Sequence, residues 1–174
     1  MLPDKVGVNP RPHEPILILT AGGTIDKQYF DALSKYQITD TVIPRLLAVA
    51  RVTRPFRIEE VLRKDSLELT DEDREALAER VRRSSVSRIV ITHGTDTMID
   101  TARALSGIPR KTIVLVGALA PARFSESDAA FNLGMAFATA QLAQAGVYIT
   151  MNGSVFDGLR VRKDYESASF KVGE

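Results

Sequence analysis

At 174 residues, with 44% hydrophobic and 26% charged residues, the chain has the size and composition of one ordinary globular domain. Its 23 Lys and Arg nearly balance its 22 Asp and Glu, so no charge excess points to nucleic acid or an anionic membrane. The absence of cysteine excludes disulfides, thiolate metal sites and a Cys nucleophile, and His13 and His93 are too few for a multi-histidine metal centre. The opening MLPDKVGVNPRPHEP is polar and proline-rich and has no apolar core of a signal peptide, so residues 1–14 read as a loose leader. No apolar run reaches membrane-spanning length, and the expected location is the cytoplasm.

After the leader, short apolar runs rich in β-branched residues alternate with segments of helical period. The strands are expected at 16–20 (ILILT), 56–61 (FRIEEV), 88–92 (RIVIT), 112–117 (TIVLVG) and 146–151 (GVYITM). Continuous apolar strands suit a parallel sheet covered on both faces. A helix is expected over 40–51, capped by Asp40. A second follows Thr70, whose spacing to Asp73 resembles a capping box. A third, over 126–145, carries Phe131, Met135, Ala138, Leu142 and Ala145 on one stripe, with Glu126 and Asp128 as candidate caps and Gly146 as its stop. The Arg-rich stretch ERVRRSSVSR reads as a solvated helix face. Residues 152–174 read as a polar tail. The fold class is therefore α/β, a doubly wound, mostly parallel sheet with helices on both faces, in a single domain over 15–174.

Ligands of such sheets bind outside the carboxyl ends of the strands. TAGGTID follows the first strand, HGTDT the strand at 88–92, and NGSVFDGLRVRKD the last. There is no P-loop, no G-x-G-x-x-G and no G-x-S-x-G elbow. AGGT alone is an ordinary glycine turn. Paired with HGTDT, it sets Thr24 and Thr95 beyond two strands, with Asp96 beside the second and Lys163 beyond the last. A threonine hydroxyl needs a base to become a nucleophile, and a Lys–Asp–Thr relay supplies one if the lysine can shed its proton.

ILILTAGGTI, VITHGTDTMIDTA, VLVGALAPARFSESDAAFNLGMA and MNGSVFDGLRVRKDYESASFK resemble, in order, the amino-terminal domain of bacterial-type L-asparaginases, over about residues 14 to 171. The resemblance implies Thr24 as primary nucleophile and Tyr29 as the tyrosine that closes over the substrate. It implies that Ser66, in KDSLELTDED, holds the substrate carboxylate. Thr95 becomes the second catalytic threonine, Asp96 the ligand of the α-amino group, and Lys163 the residue that completes the set. Gly23 and Gly94 are expected to bind substrate, with main-chain N–H groups of the glycine turn at the oxyanion. The implied reaction is hydrolysis of L-asparagine to aspartate and ammonia, with no metal or organic cofactor.

Members of that family are about twice as long, and a second domain from a neighbouring subunit helps complete the site. A naturally short chain is expected here, assembling into dimers or tetramers. Leu67 stands where the family often has glutamine, Ala120 where many members have arginine, and Asp26 where a small residue is usual. The loop beyond Asp26 has no glycine. A stiffer lid and a raised KM are expected from these differences. Tyr36, in the same loop as Tyr29, is an alternative lid tyrosine. His93 reads as structural. The other functional readings are an amidase for glutamine or for an amide on a larger carrier, and a non-catalytic amino-acid sensor or subunit of a larger amidase assembly.

Overall fold

A computed structural model describes residues 14–173; the leader expected over 1–14, including His13, lies almost wholly outside them. The first strand, β1 (Ile16–Gly22), runs into a 3-10 turn at Thr24–Asp26 and a short hairpin, β2 (Lys27–Phe30) and β3 (Lys35–Ile38). Then come α1 (Ile43–Val49), β4 (Phe56–Lys64), a 3-10 turn at Ser66–Glu68, α2 (Asp71–Arg83), β5 (Arg88–Thr92), α3 (Met98–Ala104) and β6 (Thr112–Val116). The rest is α4 (Ala129–Leu142), β7 (Gly146–Met151), β8 (Ser154–Asp157) and the hairpin β9 (Val161–Asp164) with β10 (Ser169–Val172).

Six strands form one sheet in the order β4-β1-β5-β6-β7-β8, parallel except for β8. Because successive strand residues point to opposite faces, β1 splits its apolar run between two cores. Leu17 and Leu19, with Ile89, Ile91, Ile113 and Leu115, pack under α2 and α3. Ile16 and Ile18, with Val90, Val114 and Val116, pack under α1 and α4. Helices therefore cover both faces, as the doubly wound reading requires. Counted by the parallel strands alone the order is 2-1-3-4-5, which opens a crevice at the carboxyl ends of β1 and β5, where the strand order reverses.

Several expected details differ. Asp40 does not cap α1: the N-cap position is Val42, and the Asp40 carboxylate takes the Arg63 guanidinium at 2.7 Å. Asp128 occupies the N-cap position of α4 without capping it; its carboxylate accepts from the N–H groups of Leu119 (3.0 Å) and Ala120 (3.1 Å), tying the loop after β6 to the helix. Phe131 and Leu142, on the stripe read from the sequence, are 64% and 53% exposed, while Leu133, Ala136, Phe137 and Ala140 face the core. This helix is apolar nearly all round, so spacing alone does not choose its inner face. The expected polar tail is three strands, docked by buried Val161 and Phe170. The capping box at Thr70 and Asp73 forms as expected, with Thr70 N–H donating to the Asp73 carboxylate at 2.9 Å. Among the described residues no helix is long and apolar enough to cross a membrane.

Candidate active site

Three loops meet at the crevice, and glycines let them. Gly22 and Gly23 take φ of 95° and 91°, a region that L side chains avoid. A Cβ on Gly23 would fall 2.4 Å from the Gly94 nitrogen, and one on Gly94 would fall 2.5 Å from Ser66 Oγ. The turn after β1 thus meets the loop after β5 main chain to main chain, and that loop in turn packs on the Ser66 side chain of the turn after β4. This is what both glycines are needed for. The Gly23 N–H donates to the Lys64 carbonyl at 3.2 Å, so it is not a spare oxyanion donor; the N–H groups of Thr24 and Thr95 have no partner among the described residues.

Thr24 opens the 3-10 turn, half-buried, and its hydroxyl makes no hydrogen bond within the described residues. Behind it Asp26 is buried and holds the base of the β2–β3 hairpin. Its carboxylate accepts from Val42 N–H at 2.9 Å, and its carbonyl accepts from Thr39 N–H at 3.1 Å. Burial pushes the Asp26 carboxyl up, against the pull of the Val42 N–H and the Thr41 hydroxyl. The segment that reads as a loop in the sequence is therefore a tied hairpin.

On β5's side, Thr95 is 6% exposed and Asp96 half-buried. Lys163 reaches both from β9, donating to Thr95 Oγ1 at 2.8 Å and Asp96 Oδ1 at 2.5 Å. Its position is fixed from behind. In the β9–β10 hairpin Lys163 lies opposite Phe170, which is 4% exposed and whose N–H donates to Asn152 Oδ1 at 2.9 Å. The Tyr165 ring lies 4.8 Å from the ammonium. Sequence reasoning missed Asn152; its positive φ at the turn after β7 becomes informative only when its partner across 18 residues is known.

Ser66 is 1% exposed, its carbonyl accepts from the Thr97 hydroxyl at 2.7 Å, and its own Oγ is a buried side-chain polar atom with no partner among the described residues. A buried hydroxyl with nothing to bond calls for an explanation, and a ligand is one. Tyr29 is placed differently from the other candidates. It pairs with Tyr36 across the hairpin, ring centroids 5.2 Å apart, and is 44% exposed. Tyr36, not Tyr29, lines the roughly 520 Å³ cavity onto which Asp96 opens, and it leans on Phe124 at 6.2 Å.

His93 is fully buried, bonded through Nδ1 to the Gly94 carbonyl (2.7 Å) and through Nε2 to the Thr101 hydroxyl (2.7 Å). Burial lowers its pKa from 6.5 to about 4, so it stays neutral at pH 7, and with both ring nitrogens bonded it is a strut for the Gly94–Thr95 peptide. The unfolded protein protonates His93 near 6.5 while the folded protein does not until about 4, so between these values the unfolded state binds more protons. Stability is expected to fall by up to about 3 kcal/mol as pH drops through that window. Urea midpoints at pH 7 and pH 4.5 measure it, and His93→Leu should flatten the difference; an unchanged slope would assign the acid loss to other groups.

A larger cavity of about 820 Å³ lies at the opposite edge of the sheet. There Arg88 donates to the Ala140 carbonyl and Lys111 to those of Ser84 and Val86, so these cations satisfy the ends of α4 and α2. It is remote from the threonines, and the crevice is the stronger candidate.

A family model described as "Asparaginase, N-terminal" matches residues 15–171. L-asparaginase 2 of Escherichia coli K12 is 34% identical over 163 residues, covering 85% of this chain and 46% of that protein. The D subunit of the glutamyl-tRNA(Gln) amidotransferase of Methanococcus vannielii is 33% identical over 168 residues, 87% of this chain and 39% of that one. Among solved structures, the thermostable L-asparaginase from Thermococcus kodakarensis superposes with a TM-score of 0.81 at 28% identity, over 91% of this chain and 51% of that one. The chain thus spans about half the length of the relatives it matches.

Proposed function

The chain belongs to the asparaginase family, and on that premise we propose that it hydrolyses the side-chain amide of L-asparagine, with Thr24 as nucleophile. Thr24 Oγ1 attacks the amide carbonyl carbon, the N–H groups of Thr24 and Thr95 face the oxyanion, and the C–N bond breaks as ammonia leaves with a proton. Water then hydrolyses the threonyl ester. Thr95, Lys163 and Asp96 manage the protons in both halves. Asp96 takes the substrate ammonium, and the unpartnered Ser66 hydroxyl takes its carboxylate. The observation that carries this reading is the lysine: two residues 67 and 68 positions away in sequence converge on one ammonium at 2.5 and 2.8 Å, at the mouth of the crevice. Tyr29 is the expected lid residue in this scheme, with Tyr36 beside it.

Dimers or tetramers belong to the same reading, supported by the exposed Phe131, Leu142 and Val155, which association would bury. The similarity to an amidotransferase subunit favours a second reading, in which the same hydrolysis delivers ammonia to a partner. The test is ammonia release from L-asparagine and L-glutamine by the purified protein, with sedimentation of the same preparation. Turnover of asparagine, saturating above the micromolar range, by a sedimenting oligomer is expected. Aspartate binding without release of ammonia from either amide would replace catalysis with a sensor or subunit role.

A further inference from the structure

The roughly 520 Å³ cavity between the β2–β3 hairpin and the turn at 66–68 is of a size that elsewhere holds a ligand well beyond one amino acid (about 300–1,000 Å³). Of the residues proposed to hold asparagine, only Asp96 lines it; Thr24 and Ser66 do not. The substrate's amino end is therefore the end that faces this space. Most charges on the wall are already matched. Lys27 pairs with Asp65 at 2.5 Å, Arg63 with Asp40 and Glu60, and Asp96 with Lys163. Glu68 is exposed, and its carboxylate has no partner among the described residues. Leu67, 73% exposed, adds an apolar surface beside it.

Resting on the amidohydrolase reading above, we propose that the same site deamidates asparagine at the carboxyl end of a short peptide. The terminal residue occupies the Thr24–Ser66 site. Its peptide N–H donates to Asp96, which tolerates a neutral donor because Lys163 already balances its charge. The preceding residue lies in the cavity against Leu67, with its ammonium toward Glu68. The bonds changed are those of the free amino acid reaction: the C–N bond of the asparagine amide breaks, the oxygen of water joins the carbonyl carbon, and Xaa-Asn plus water gives Xaa-Asp and ammonia.

The experiment compares L-asparagine, Gly-Asn and N-acetyl-asparagine as substrates of the purified protein, reading ammonia and the mass of the product. Gly-Asn is expected to be turned over with kcat/KM within about tenfold of asparagine. N-acetyl-asparagine, which has no ammonium, should fall a further two- to fivefold or so, the size of an exposed ion pair. Glu68→Gln should lower the ratio of Gly-Asn to asparagine by a similar factor. Asparagine turnover with Gly-Asn more than a hundredfold poorer overturns the proposal. Silence with all three substrates removes the amidohydrolase reading as well as this one.

Discussion

Thr24→Ala is expected to lower kcat for asparagine by on the order of 10⁴-fold, with an unchanged far-UV spectrum and a stability within about 0.5 kcal/mol of the parent. The reason is the isolation of the hydroxyl. It is half-buried and has no hydrogen bond to lose among the described residues, so its removal orphans no partner there. Only the bond to the substrate carbon disappears. Groups that act as one unit are strongly non-additive, so Thr95→Ala should be similarly damaging and the double variant little worse than either. More than a tenth of the activity surviving in Thr24→Ala would remove it from the nucleophile's role.

Lys163→Met should cost about 10²- to 10⁴-fold in kcat, the usual weight of a positioned proton carrier. A purely electrostatic role and a proton-transfer role separate in Lys163→Arg. Arginine keeps a positive charge beside Asp96 but does not deprotonate at any working pH. Rescue by arginine would mean that Lys163 only neutralises Asp96; failure of arginine to rescue kcat is the expected result. KM should rise in both variants, since Asp96 loses or changes the partner that orients it at 2.5 Å.

The five strands expected at 16–20, 56–61, 88–92, 112–117 and 146–151 were legible to within a few residues, while the three in the 152–174 segment, read as a polar tail, were not. Continuous apolar runs at 16–20, 88–92, 112–117 and 146–151 suit a sheet covered on both faces, and strands form there at 16–22, 88–92, 112–116 and 146–151. AGGT and HGTDT were legible as glycine turns beyond two strands, expected to let the main chain approach a substrate; what those glycines meet is each other, Gly23 against Gly94. The β2–β3 hairpin was not legible. KQYF and KYQI are mostly polar and half-exposed, and their pairing depends on Asp26 being buried and bonded to Thr39 and Val42. The inner face of α4 was hidden by its all-round apolarity.

By itself, then, the sequence determined the class of fold, the sheet edge that is the candidate for the chemistry and the identities of Thr24, Thr95, Asp96 and Lys163 as its candidate residues, because strand periodicity and steric demands on glycine are local properties of the polypeptide. Which of these groups touch was decided only in three dimensions. Lys163 meets Asp96 because Val161 and Phe170 bury the hairpin that carries it, Tyr36 rather than Tyr29 lines the cavity although the two rings pair across the hairpin, and the Ser66 hydroxyl is buried without a partner among the described residues. Each of these depends on burial and on contacts between residues far apart in sequence, which no local spacing records.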